Sequence, residues 1–175
     1  MPPEFFLDRN LGRRVAEGLR ACGWTVHRIG DVFPDDAQDI ADEDWIAHGL
    51  DQSWVPISKD GRIKSRDLEI RPVLEREAVL FYLDNQQLPS AEMIGRFDAH
   101  REAIHRAVAR GGPAAYAVRR DRVERTWPWR GDRPRPSDRA QRVPAALRRR
   151  DASSSTERFL QKAKRTKGAP MSRWS

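Results

Sequence analysis

The segment Glu4-Phe5-Phe6-Leu7-Asp8-Arg9-Asn10-Leu11 begins as an apolar run and stops at a carboxylate. Apolar residues stand on both faces of the run, as in a strand buried on both sides of a parallel sheet. Asn10 is placed to cap a following helix, in which Leu11, Val15, Leu19 and Cys22 share one face and which Gly23 ends. Trp24 to Ile29 then reads as a second strand, and Gly30 to Gln38 as a polar loop.

The same grammar continues along the chain. Asp39 is an N-cap candidate for a helix running to about Leu50. Asp42, Trp45, Ile46 and Gly49 fall at i, i+3, i+4 and i+7, so Asp42 lies on the apolar stripe in the first turn, while Glu43 and Asp44 rotate away. Trp54 to Ser58 is a third strand, running into Lys59 and Asp60, with Pro56 placing it near a sheet edge. Gly61 marks a turn, and Arg66 to Arg76 reads as a short helix despite Pro72. Ala78 to Asp84 is the clearest buried strand. A long helix follows Pro89 and Ser90, reaches about Arg110 and is stopped by Gly111-Gly112-Pro113. Ala115–Val118 and Val123–Trp127 form a hairpin around Arg120-Asp121.

Strands alternating with helices predict an α/β fold: a mostly parallel sheet, helices on both faces, and a C-terminal β-hairpin. Ligands of such sheets bind beyond the carboxyl ends of the strands. Asp8 and Asp60 stand at two such ends, and Asp42 at a helix start facing the same edge. Three converging carboxylates repel one another unless a divalent cation lies among them. Mg²⁺ or Mn²⁺ there would orient a scissile phosphate and activate a bound water. No serine, cysteine or histidine nucleophile is needed, and His27, His48, His100 and His105 show no ligand spacing.

Each acid also has a plainer reading. Asp8 can cap the next helix together with Asn10, and Asp60 can be a turn residue before Gly61. Asp42 can serve only the helix dipole, worth about 0.3–1 kcal/mol. Asp84, before Asn85, reads as a turn. Arg62, Lys64 and Arg66 follow Asp60 as a basic stretch, suited to a nucleic-acid backbone or simply a solvated loop. Lys59 is placed to pair with a site acid or to touch phosphate. Trp127 and Trp129, near Arg125 and Arg130, could stack on bases, but packing against the body is the favoured role of Trp127.

Charge divides the chain. Residues 129–175 carry 14 Lys/Arg against 4 Asp/Glu, a net of +10, whereas residues 1–128 carry 19 against 22, a net of −3. The expected organisation is therefore an α/β domain over 1–128 and a basic, largely disordered tail over 129–175, with at most a short helix near 156–164. The tail suits non-specific contact with a polyanion. Cys22 is the sole cysteine, which rules out an internal disulfide and fits a reducing compartment. The longest apolar run, Ala78 to Leu83, is too short to span a membrane. A cytoplasmic protein is expected.

Three motifs resemble the minimal, toxin–antitoxin-associated branch of the PIN-like nucleases. An apolar strand runs into Asp8-Arg9-Asn10-Leu11, a helix opens with Asp42-Glu43-Asp44-Trp45-Ile46, and another strand ends in Ser58-Lys59-Asp60. The resemblance spans about residues 4–90. It implies a small Rossmann-like PIN fold and a Mg²⁺- or Mn²⁺-dependent ribonuclease, with RNA as substrate and an antitoxin protein as partner. A homodimer is a further candidate state. On this resemblance Asp8, Asp42 and Asp60 hold the metal, Ser58 supports Asp60 by a hydrogen bond, and Asn10 caps the first helix and helps hold a metal-bound water. Two features depart from the pattern. A fourth acid on an intervening helix has no clear equivalent, with Asp36, Asp39 or Glu43 as substitutes. Arg62 stands where a second aspartate after Asp60 is common, which removes a second metal or adds a phosphate contact.

A competing function of another class is a catalytically silent nucleic-acid-binding or protein-interaction module, which metal titration would distinguish. An aspartyl phosphotransferase with Asp8 as nucleophile ranks low, because Asn10 replaces the second aspartate such enzymes need. A receiver domain ranks lower still, because a late-strand lysine is not evident.

Overall fold

A computed structural model of the protein describes residues 1–85 and 87–128. The chain divides into two units, Met1–Arg133 and Pro134–Ser175. The basic stretch 129–175, with Trp129, Arg130 and the expected helix near 156–164, lies outside the described residues.

A six-stranded sheet organises the first unit. Its strands are β1 (Glu4–Leu7), β2 (Thr25–Arg28), β3 (Val55–Ser58), β4 (Val79–Leu83), β5 (Ala114–Val118) and β6 (Val123–Trp127). Their order is β2-β1-β3-β4-β5-β6, parallel throughout except for β6, which closes the expected hairpin antiparallel to β5. The helices are α1 (Gly12–Ala21), α2 (Ile29–Val32), α3 (Asp42–Asp51), α4 (Asp67–Glu75), α5 (Ser90–Ala99) and α6 (Arg101–Arg110). Mixed α/β architecture with helices on both sheet faces is as the alternation predicts. Among the described residues, no helix is long and apolar enough to cross a membrane.

Strand alternation builds two cores. Phe5, Leu7, Ile57, Phe81, Leu83 and Tyr116 face one way, against Val15 and Leu19 of α1, Phe97 of α5 and Ile104 of α6. Phe6, Leu80, Tyr82 and Ala115 face the other way, against Trp45 and Ile46 of α3 and Ile70 and Val73 of α4. Every residue of β4 and β5 is buried, which is why those strands read as continuous apolar runs. Cys22 packs at the margin of the first core, as its spacing predicts.

Several local expectations need correction. Pro56 lies in a central strand, not near an edge. The Ile57 carbonyl turns toward β1, accepting the Asp8 N–H at 2.9 Å. Pro56 therefore faces β4, whose ladder with β3 begins only at Ile57. Its missing N–H removes no ladder bond.

The long helix to Arg110 is two helices, separated at His100. Beside the break, Asp98 accepts the Trp24 indole N–H at 3.0 Å and pairs with Arg101. The span read as a polar loop contains α2 and a 3₁₀ turn, Pro34–Ala37, anchored by buried Ile29 and Ala37. Asp39 does not cap α3, whose N-cap residue is Ala41 with no side-chain bond. The helix at Asp67–Glu75 does tolerate Pro72.

The β2 border of the sheet is covered by a side chain. The Arg20 guanidinium donates from Nε at 3.0 Å and from Nη2 at 2.7 Å to the Val26 carbonyl, and it is steadied by Asp31. At the other end of the crossovers, the backbone comes closest at Gly112. A Cβ there would lie 1.7 Å from the Ala78 carbonyl oxygen, a main-chain atom at the start of β4 that cannot swing aside. Gly112→Ala is expected to destabilise the domain by about 3 kcal/mol, read as a lowered midpoint in urea denaturation.

Candidate functional site

The strand order reverses between β1 and β3, so the crevice beyond their carboxyl ends is the place where this architecture binds ligands. Asp8 and Asp60 flank it. They are built alike: each follows a strand and caps a 3₁₀ turn with its own carboxylate. Asp8 Oδ1 accepts the Asn10 backbone N–H at 3.3 Å, opening the turn Arg9–Leu11. Asp60 Oδ1 accepts the Arg62 backbone N–H at 2.9 Å, opening the turn Gly61–Ser65.

Asn10 is therefore not the cap of the first helix. It lies inside the turn, and its side-chain amide donates to Asp8 Oδ2 at 3.2 Å. The plainer reading of Asp8 as a capping residue is true as far as it goes, but Oδ2 also receives the Ser58 hydroxyl at 2.7 Å. The same Ser58 oxygen accepts the Asp60 backbone N–H at 3.0 Å. One wholly buried hydroxyl thus ties the ends of β1 and β3 together. Its hydrogen bond goes to Asp8, and it supports Asp60 through the main chain.

Asp8 is 3% exposed. Burial pushes its carboxyl above the ordinary aspartate range; the bonds from Ser58 and Asn10 oppose that shift, and the charge of Asp42 adds to it. Asp42 is the first residue of α3, half-buried, and accepts the Trp45 indole N–H at 3.0 Å. Trp45 fills the second core, so packing of the helix holds Asp42 toward the sheet edge.

Asp60 has the opposite electrostatics. Arg62 forks its carboxylate, from Nε at 3.0 and 3.1 Å and from Nη2 at 2.9 Å. This hydrogen bonding, above all, holds the Asp60 carboxyl below the usual range. The structure thus joins Asp8 to Asp60 through Ser58, and Asp8 to Asp42 through their charges. Among the described residues, no group of three or more His, Cys, Asp or Glu side chains is gathered closely enough to enclose a metal ion.

The basic stretch after Asp60 divides by partner. Arg62 is bound to Asp60, and Arg66 pairs with Glu69 at 2.6 Å. Lys64 instead donates to the Tyr82 hydroxyl and lies 4.7 Å from the centre of that ring. Lys59 is half-buried beside the site.

A cleft of about 390 Å³ opens here, lined by Asp60, Arg62, Lys64, Tyr82, Asp84 and Arg119. Tyr82 and Arg119 went unnoticed in the sequence. Tyr82 sits inside an apolar strand and Arg119 at a hairpin turn, and nothing local distinguishes them. Asp84, read as a turn residue, accepts from Arg96 at 2.7 Å and from Arg119 at 3.3 Å. Trp127 packs against the second core, as favoured from the sequence.

Gly61 fits this cleft because of contact, not charge. A Cβ there would stand 2.6 Å from the Tyr82 ring. The histidines pack elsewhere: His27 pairs with Glu4 and stacks on Trp54, and His105 lies against Phe5 and Trp24.

Comparison with known proteins agrees with this geometry. A family model described as a PIN like domain matches residues 3–85, a span from β1 through β4 that holds all three acids. The chain is 30% identical over 122 residues to "Putative ribonuclease VapC45" of Mycobacterium tuberculosis, covering 69% of this chain and 88% of that protein. No solved structure matches. With the sheet order, the strand-end acids and this relative in agreement, the chain belongs to the PIN-like domain family.

Proposed function

We infer that this protein is an endoribonuclease whose cleavage depends on Mg²⁺ or Mn²⁺, acting as a toxin controlled by an antitoxin partner. One observation carries the reading. At the switch point of the sheet a buried carboxylate, Asp8, is fixed by Ser58 and Asn10 against the charge of Asp42. A fold keeps such an arrangement at a cost, and a cation relieves it.

The donor set fits a hard ion. All donors are oxygens, and Mg²⁺ needs only one or two direct carboxylates because it retains its waters. Asp8 and Asp42 would hold it. Asp60, already countered by Arg62, would add charge and orientation. When bound, the ion supplies Lewis-acid polarisation of a phosphoryl oxygen and a water of lowered pKa. The protein's own part is positional. Ser58 sets the Asp8 carboxylate and the Asp60 main chain, Asn10 steadies Asp8, and the stretch from Lys59 to Arg66 meets the RNA backbone. The name of the mycobacterial relative supports RNA as the substrate.

A second reading, a silent nucleic-acid-binding or protein-interaction module, is favoured by Arg62, whose guanidinium neutralises one of the three acids. Incubation of labelled RNA with Mn²⁺ separates the two. The nuclease reading expects cleavage by the wild type, and a fall on the order of 10²-fold or more in Asp8→Asn and Asp60→Asn. Ser58→Ala is expected to lose about 10- to 100-fold, as when an outer partner of a metal ligand is removed. Absence of cleavage, or cleavage equal in all variants, supports the silent module.

Stability gives an independent check. A carboxyl raised by folding favours the folded state only while protonated. Its contribution is intact below the unfolded pKa and is lost as pH rises through the folded one. In EDTA, Asp8→Asn should therefore melt higher than wild type at pH 7, and the gap should close below the ordinary carboxylate range. Mn²⁺ should raise the wild-type melting temperature, by about 2.7 kcal/mol of stability at a hundredfold excess over Kd, and leave Asp8→Asn unmoved.

A further inference from the structure

The cleft beside the acids contains a directed chain of hydrogen bonds. Lys64 Nζ donates to the Tyr82 hydroxyl, Tyr82 donates to Thr126 Oγ1 at 2.9 Å, and Thr126 donates to the Ala115 carbonyl at 3.2 Å. Each group uses its proton in the same direction, so the order fixes every member. The chain starts on the turn after β3, passes through the end of β4 and finishes on the β5–β6 hairpin. The hairpin lies beyond the residues matched by the family model.

Among the described residues, the cleft's other cations are already committed. Arg62 is forked onto Asp60, and Arg119 is shared between Asp84 and Glu124. Lys64 has no carboxylate partner among the described residues. An ammonium carries three donors, and Tyr82 occupies one. Lys64 lines the cleft together with Asp60, and two of its donors are left for a ligand there. Tyr82 itself is 3% exposed, so its ring is a support for the lysine and not a platform for a base.

We propose that Lys64 is the anchor for one backbone phosphate of an RNA strand lying across the acid site, and that Tyr82 and Thr126 are its positioning residues. The proposal rests on the nuclease reading for its substrate class. It departs from an undifferentiated basic stretch, because Arg62 and Arg66 have partners and Lys64 has a dedicated support. The hairpin then has a role in substrate binding: it sets where the ammonium stands relative to the acids.

The test is equilibrium binding of a fluorescent single-stranded RNA to the full chain in EDTA, across a range of salt. The basic segment 129–175 is the same in every variant, and the comparison is between variants that differ only in the cleft. Lys64→Gln should weaken binding roughly tenfold and reduce the magnitude of the log–log salt slope by about 0.7, the value for one single-strand phosphate contact. Tyr82→Phe and Thr126→Val should each weaken binding roughly threefold. Neither should add to the loss in a Lys64→Gln background.

An unchanged salt slope in Lys64→Gln overturns the anchor. A Tyr82→Phe effect that persists undiminished without Lys64 overturns the positioning chain. If Tyr82→Phe melts early, Thr126→Val carries that arm alone. Binding is read without a divalent ion, so it is independent of catalysis. Failure of cleavage with Mn²⁺ alongside the expected slope change would sink the nuclease reading and leave the phosphate anchor standing.

Discussion

A single buried hydroxyl ties together the carboxyl ends of the two strands at the sheet's switch point. Ser58 donates to Asp8 and accepts from the Asp60 main chain, and so joins the two strand ends at which the sheet changes direction. Its burial makes both bonds geometrically strict, since water cannot replace either partner. Asp8 lies 50 residues before Ser58 in sequence, and the register of β1 against β3 is what brings the two together. That register is in turn fixed by the two cores, because a slip of one residue would send Phe6 and Leu7 to the wrong faces.

Around this link the electrostatics are deliberately uneven. Asp8 lies in a dry setting and is disfavoured as an anion, whereas Asp60 is favoured as one by its guanidinium partner. Two carboxylates at the ends of adjacent strands, on similar local frames, thereby differ in charge preference. The difference comes from burial at Asp8 and from the Arg62 guanidinium at Asp60. The neighbouring Lys64 instead lines the cleft, hydrogen-bonded to an aromatic hydroxyl.

Much of this was legible in the residues. Apolar runs ending in carboxylates gave the parallel strands, and the stripe Trp45-Ile46-Gly49 oriented α3 with Asp42 at its start. What escaped had no local signature. The break at His100 is invisible because Met93, Phe97, Ile104 and Ala107 keep a helical spacing straight through it, and the bond beside it, from Trp24 to Asp98, spans 74 residues of sequence. Pro56 misled because its central position is tolerated only where the facing ladder has not yet begun. Asn10 was read as a cap because its type suits one, but a 3₁₀ turn capped by Asp8 precedes the helix and takes Asn10 into its interior.

The guanidinium of Arg20 on the Val26 carbonyl has a consequence for assembly. A carbonyl engaged by two donors is a poor acceptor for an incoming peptide backbone, so this side chain blunts lateral growth of the sheet at the β2 margin.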